Sequence, residues 1–302
     1  MWRKRRFLNL SLFAATLLFL VVSATLLWLC YQQAQSLAYP ISIPAQYTPT
    51  HFGISNWREV SFQAEDGIQL NGWFIPPTDE RGAAVLFVHG IGGNREQVSL
   101  QAQLLAANGY GMLLFDLRDC GTSSGNVTSM GYWEALDVQG AFAFLAAQPE
   151  VNPQRIGIYG ASMGGAAAVR AMTRLPEARA LIIESSYSSL VSVIGDGVRA
   201  QTGLPPFPFA DIIVWLMGPE AGANLFDVNP EADITQIHQP VLIMHGTEDD
   251  TIPVAHAERL YAAANEPKEL WLVPNAGHGG LIYIDPQGFA ARVLPFLERA
   301  PG

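Results

Sequence analysis

Arg155-Ile-Gly-Ile-Tyr-Gly-Ala-Ser162-Met-Gly-Gly165 is the stretch on which the fold turns. A short apolar run, Ile156 to Tyr159, leads into Gly160-x-Ser162-x-Gly164, and an alanine-rich helical segment follows at once. Strand, tight turn and helix in that order form the setting in which the serine of G-x-S-x-G becomes a nucleophile. A side chain at 160 or 164 would collide with neighbouring backbone, so glycine is needed on both sides of a strained turn. The turn lifts the hydroxyl above the sheet edge and aims the first helical amides at the same point, where they can hold a developing oxyanion. A bare G-x-S-x-G also describes a glycine-rich turn whose serine does nothing. The surrounding sequence has to decide.

Upstream, Val60–Ala64 and Ile68–Ile75 flank Glu65-Asp66-Gly67, a hairpin signal. Ala83–Val88 is a continuous apolar run of the kind found in strands buried on both faces. Asn94 with Gln97 predicts a capped helix carrying Val98, Ala102 and Leu105, stopped by Asn108-Gly109. Met112–Phe115 reads as a further strand, and Val138, Ala141, Phe142 and Leu145 repeat at helical spacing. Downstream, Ala180–Ile183, Pro240–His245 and Leu270–Val273 are strands. Ala257, Leu260, Tyr261 and Ala264 form a helical stripe opened by Pro253, and Phe289, Val293, Phe296 and Leu297 mark a closing helix. Such alternation predicts an α/β domain with a mostly parallel sheet covered by helices on both faces. Reactive groups should collect beyond the carboxyl ends of its strands.

One segment breaks the alternation. Residues 185–235 form a long insertion with Leu204-Pro-Pro-Phe-Pro-Phe209 and an apolar patch around Ile212, Ile213, Trp215, Leu216 and Met217. Insertions of this length are lids or binding elements more often than plain excursions, so a helical lid is expected. Phe207, Phe209, Trp215 and Met217 are its candidate substrate contacts, and its apolar face could also rest on a membrane surface.

Ser162 needs a base. Of the six histidines, His278 follows the last strand in Pro274-Asn-Ala-Gly-His278-Gly-Gly280, where glycines let a loop carry it over the sheet edge. His51 and His238 fall in connecting segments, His256 on a helix, and His245 ends a buried strand as a core histidine. The imidazole needs a carboxylate to fix its tautomer. Asp249 in Gly246-Thr-Glu-Asp249-Asp250 is the first choice, Asp250 the second, and Glu184 an outside candidate. The order Ser162, Asp249, His278 is the one expected of this architecture. The loop His89-Gly-Ile91-Gly-Gly-Asn94 should supply a second oxyanion donor, so the Ile91 amide joins that of Met163. It lacks the Lys-Ser/Thr of a phosphate cradle. No cluster has metal-ligand spacing, and neither a metal nor another cofactor is expected.

The chain begins Met-Trp-Arg-Lys-Arg-Arg, and from Phe7 to Tyr31 no charged side chain appears. At about 1.5 Å per residue the run exceeds the roughly 30 Å hydrocarbon layer, and it is longer than a signal-peptide core. Residues 1–31 are therefore read as a basic N-terminus and transmembrane anchor, although Ala34, Ser36 and Ala38 leave cleavage open. Arg3, Lys4, Arg5 and Arg6 precede the span and no Lys or Arg follows it until Arg58. That asymmetry predicts a cytoplasmic N-terminus and an extracytoplasmic catalytic domain. Residues 32–57 read as a tether and 58–302 as the α/β domain. The net charge of −10 argues against nucleic acid as a partner. Two cysteines, Cys30 and Cys120, give no disulfide framework. Asn126-Val-Thr128 is a sequon relevant only in a eukaryotic host.

Together these residues resemble the α/β-hydrolase superfamily, and within it the single-domain hydrolases related to prolyl oligopeptidase and serine aminopeptidases. Phe115-Asp-Leu-Arg-Asp-Cys-Gly121, Tyr132-Trp-Glu-Ala-Leu-Asp137 and Gly160-Ala-Ser-Met-Gly-Gly165 carry the likeness, across roughly residues 58–298. The resemblance implies an eight-stranded sheet, a Ser162–His278–Asp249 triad, and salt-bridged, loop-shaping roles for Asp116 and Arg118. The expected activity is cleavage of esters or thioesters of a small-molecule acyl substrate, with a partly apolar acyl group, through an acyl-enzyme. The alternatives are a peptidase or amidase of the same fold and a non-catalytic binding domain.

Overall fold

A computed structural model describes residues 2–299; the side chains of residues 2–6 and 8 lie outside the description, and with them the basic cluster Arg3 to Arg6. Eight strands form one sheet: β1 (Arg58–Gln63), β2 (Gln69–Ile75), β3 (Ala84–Val88), β4 (Gly111–Phe115), β5 (Ile156–Ala161), β6 (Ala180–Glu184), β7 (Val241–Gly246) and β8 (Lys268–Val273). Their order is β1-β2-β4-β3-β5-β6-β7-β8. The β1–β2 and β2–β4 pairs are antiparallel, and every later pair is parallel. β3, β4, β6 and β7 are buried along their whole length, which explains why they read as unbroken apolar runs rather than alternating ones. The hairpin closes where Gly67, at φ 86°, supplies the left-handed turn residue.

The helices are α1 (Trp2–Ala38), α2 (Ser99–Ala107), α3 (Glu134–Ala146), α4 (Met163–Met172), α5 (Leu190–Thr202), α6 (Pro206–Ala221), α7 (Pro230–Asp233), α8 (Ala255–Ala263), α9 (Leu281–Ile284) and α10 (Pro286–Arg299). One core holds α3, α4 and α8 against the sheet and extends into α5, α6 and the end of α1. The other holds α2, α9 and α10. The fold is thus the α/β-hydrolase fold, with a mostly parallel sheet between two helical layers. The insertion is helical as expected. α5 opens on Ser189, whose hydroxyl accepts from the Ser192 amide, and closes on Gly203 in the left-handed region.

Two local expectations need correction. Asn94 and Gln97 do not form a capping box. Asn94 closes its own short turn onto the Glu96 amide, α2 starts later, and the Gln97 amide oxygen instead accepts from Gly90 N–H at 2.8 Å. A nearby loop amide competes successfully for that side chain.

Residues 32–57 are also not a free tether. α1 continues to Ala38, and Cys30, Ala34 and Ala38 are buried, their small side chains allowing close approach to α6. Gln35 and the Tyr39 hydroxyl donate to the Glu220 carboxylate at 3.0 and 2.6 Å. Farther on, the Ser42 hydroxyl donates to the Gly93 carbonyl, the Ile43 carbonyl accepts from Asn94, and Glu96 accepts from Gln46 N–H. Polar, proline-containing sequence suggested a linker because its backbone partners lie far away in the chain. Asn9–Ala38 is long and apolar enough to cross a membrane.

Candidate active site

Ser162 stands at the turn between β5 and α4 with φ 54° and ψ −123°. A left-handed φ is costly for a residue with a side chain and persists only where the surroundings impose it. They do so here. A Cβ at 160 would meet the Gly164 carbonyl at 2.5 Å and Gly165 Cα at 2.7 Å. One at 164 would run into the Val88 and His89 carbonyls of the loop after β3. The paired glycines therefore let the turn close on itself and on the neighbouring loop.

The structure brings Ser162, His278 and Asp249 together. His278 Nε2 lies 3.1 Å from Ser162 Oγ, and His278 Nδ1 lies 2.8 Å from Asp249 Oδ2. An ionised carboxylate only accepts, so Nδ1 carries the hydrogen and Nε2 is left to receive a proton from the serine. Asp249 Oδ1 accepts from the Thr251 and Ile252 amides at 3.0 and 2.8 Å. Burial pushes the Asp249 carboxyl up, but hydrogen bonds from His245, His278 and the Ile252 amide outweigh it and hold the group below the usual carboxylate range. Asp249 is therefore ionised wherever the imidazole needs it.

The other candidates are placed elsewhere. Asp250 is exposed, 3.5 Å from the Thr251 hydroxyl. Glu184 is buried beneath the loop that follows His278: its Oε1 accepts from Leu281 N–H at 3.0 Å, and Tyr159 O–H and Gln101 donate to Oε2. Burial raises its carboxyl against those donors, and it holds the loop rather than the imidazole. His51 lies in the short turn after residue 48, His238 is exposed, and His256 is buried on α8.

His245 is buried as expected, yet it also touches the site. Its Nε2 is 2.7 Å from the Ile252 carbonyl and 3.3 Å from Asp249 Oδ2, so one ring hydrogen steadies both the acid and its loop. Its position four residues before Asp249 is the sequence signal for this role, and reading it as a core residue alone misses it.

Ile91 and Met163 face the same cavity as Ser162. Met163 opens α4, so its N–H precedes the acceptors the helix could offer. The Ile91 loop is braced by Gln97 on Gly90 and by His89, whose Nδ1 donates to the Gly90 carbonyl at 2.7 Å while Nε2 accepts from Leu117 N–H at 3.0 Å. Burial lowers the basicity of His89, and a ring that must accept at Nε2 has to stay neutral. Asp116 and Arg118 are loop-shaping ion-pair partners, but not with each other. Asp116 pairs with Arg95 at 2.9 Å; Arg118 pairs with Asp137 at 2.7 Å and Asp66 at 3.0 Å.

The cavity above Ser162 has a volume of about 330 Å³. Of the four lid residues nominated as substrate contacts, Phe209 lines it. Phe207 and Trp215 are 74% and 64% exposed, and Met217 is fully buried in the core. In α6 the side facing the cavity is Phe209 and Ile213, while the helix turns Trp215 outward and Met217 inward to the core. The cavity's other lining residues include Tyr187 and Met130, Val193 and Val198 of α5, and, unforeseen from sequence, residues of α1. Among the described residues no group of His, Cys, Asp and Glu side chains is arranged to hold a metal ion.

Known proteins share this architecture. The family model described as the prolyl oligopeptidase family matches residues 96–300. The uncharacterized protein Rv2307c of Mycobacterium tuberculosis is 32% identical over 277 residues, covering 91% of this chain and 89% of the relative. The uncharacterized protein YfhR of Escherichia coli is 31% identical over 235 residues, covering 75% and 76%. Among solved structures, the Pyrococcus furiosus esterase PF2001 matches with a TM-score of 0.71 and 26% identity, over 87% of this chain and 100% of that one.

Proposed function

Because the chain belongs to the prolyl oligopeptidase family and is a hydrolase of the α/β-hydrolase fold, we propose that it cleaves carboxylic esters or thioesters with Ser162 as nucleophile, held at a membrane by α1. The observation that carries this reading is the unbroken relay of Ser162 Oγ, His278 and Asp249 at 3.1 and 2.8 Å beside an open cavity. Ser162 Oγ attacks the carbonyl carbon as its proton passes to His278 Nε2. The Ile91 and Met163 amides hold the oxyanion, and losing one such donor costs about 3–4 kcal/mol of transition-state stabilisation. Collapse expels the alcohol or thiol, which takes the proton from His278. Water, deprotonated by the same imidazole, then attacks the acyl carbon and releases the acid and the free serine.

The family is described by peptide cleavage, but the cavity favours an acyl group without charge. None of its lining residues is acidic, basic or histidine, so nothing in its wall would pair with the charged groups of a peptide. The α1 span and the preceding basic cluster support a single pass with the N-terminus cytoplasmic and the catalytic domain on the far side. The test is a fluorophosphonate probe and a short p-nitrophenyl ester applied to the full chain. Wild type should be labelled and turn over; Ser162→Ala should do neither. Labelling and turnover that survive Ser162→Ala, or a wild type that shows neither, would overturn the reading.

A further inference from the structure

We infer that the acyl donor is a lipid ester resident in the bilayer, and that its tail enters the cavity sideways between α1 and the lid; this rests on Ser162 being the nucleophile. The membrane helix is itself part of the site. Leu26, Leu29, Cys30, Gln33 and Leu37 of α1 line the same cavity as Ser162. They form one helical stripe, extending about 16 Å along the axis at ~1.5 Å per residue, opposite Val193, Val198 and Ile213 of the lid.

The position of that stripe on α1 is what points to the bilayer. From Phe7 to about Leu26 the described side chains are mostly exposed and apolar all round, as a lipid-facing helix is. At ~1.5 Å per residue that stretch crosses the ~30 Å hydrocarbon layer. The cavity wall therefore begins where the helix leaves the membrane. Trp28 and Tyr31, at 57% and 45% exposure, sit at the start of that wall, where aromatic side chains mark the membrane–water boundary. Leu29 lines the cavity yet is 49% exposed, so the wall is open there. The lid carries Phe207 and Trp215 exposed on α6, the helix packed against α1. Large apolar side chains beside a membrane-entering helix are accounted for by a lid that rests on the bilayer surface. A lipid tail moving from the bilayer into this cavity never crosses water.

Gly197 of α5 gives the test. It lines the cavity, and a Cβ built there meets nothing within 4 Å, so Gly197→Leu starts into open cavity space, adds bulk to it and favours the helix. The full chain is reconstituted into dioleoyl vesicles containing phosphatidylcholine, phosphatidylglycerol and diacylglycerol, and oleate release is measured beside p-nitrophenyl butyrate turnover. Wild type should release oleate. Gly197→Leu should cut that release by roughly tenfold or more while lowering butyrate turnover much less, since lost apolar contact in a pocket is worth at least that factor. Leu29→Trp, altering the wall from the α1 side, should act in the same direction should Gly197→Leu not fold. Butyrate turnover without oleate release overturns lipid entry and leaves the Ser162 reading standing. Lipid entry is equally overturned if the vesicle lipids release no oleate while oleoyl-coenzyme A or an oleoylated peptide, supplied in parallel, does, or if the cavity variants lower both activities equally. Absence of both activities, or their survival in Ser162→Ala, overturns the catalytic reading itself.

Discussion

Around Ser162 the reacting groups are fixed by directional bonds, whereas the wall across the cavity is held chiefly by apolar packing. Asp249 alone receives two backbone amides and two imidazoles, and the loop beyond His278 is tied to a buried carboxylate. Opposite, α1 meets α6 through Cys30, Ala34 and Ala38, with Gln35 and Tyr39 on Glu220 as polar ties. The two kinds of contact suit two tasks. Chemistry requires atoms placed within a fraction of an ångström, which hydrogen bonds provide. Housing an acyl chain requires volume and dryness, which packing provides without fixing one ligand shape.

The largest expected effect separates the two regions at the rim. Asp249→Asn keeps the shape but removes the charge that selects the His278 tautomer, and kcat should fall by about four orders of magnitude. Asp250→Asn, on the exposed neighbour, should leave kcat near wild type. Equal losses in steady-state ester turnover would contradict the assignment of the acid.

A smaller effect concerns how the lid is seated. His256 of α8 is buried; its Nδ1 accepts from Ser188 N–H at 3.0 Å beside the Arg259 guanidinium, and its Nε2 meets Asp196 of α5 at 3.0 Å. Burial first, and the Arg259 charge second, lower it from 6.5 to about 4, against the opposing pull of Asp196. The folded-state value lies below the unfolded one, so the unfolded chain takes up the proton more readily. The site's contribution to stability is complete above about 6.5 and is lost as pH falls from there toward about 4. Thermal unfolding of wild type relative to His256→Gln should show that difference in the same window, and hydrogen exchange in α5 should rise before that in β5. A wild-type minus variant difference that is flat with pH would contradict a role for this contact in seating the lid.

The smallest effect belongs to the outer edge of the wall. Tyr39→Phe deletes one exposed hydrogen bond to Glu220, and such contacts contribute little in water. Its Tm and its ester turnover should be close to wild type. A marked loss of turnover would mean that the anchor is held by that bond rather than by the apolar stripe.

The same contrast governs what could be read before any coordinates. Ser162, Asp249 and His278 were legible because each follows a short apolar strand, and the glycines at 160, 164 and 246 leave no room for a side chain. The strands were legible because full burial leaves continuous apolar runs. The cavity was not. Phe207, Phe209, Trp215 and Met217 are all apolar and close in sequence, and only the packing of α6, with a kink at Phe207, settles that Phe209 faces the cavity, Met217 the core, and the other two solvent. In α1 the cavity-facing stripe continues directly out of a run that is apolar on every side, so its start at Leu26, Leu29 and Cys30 carries no distinguishing pattern, and Gln33 is its one polar member. The partners of residues 39–47 lie some 50 positions away or farther, a separation at which no local pattern is visible.

The most direct test of the central claim is a long-chain alkyl fluorophosphonate supplied within vesicles that hold the full chain, followed by mass measurement of the labelled peptide. The account predicts one phosphonyl adduct, on Ser162, formed from the bilayer and lost in Ser162→Ala. An adduct on another residue, or labelling of Ser162 by a short soluble probe but never by the membrane-held one, would contradict it.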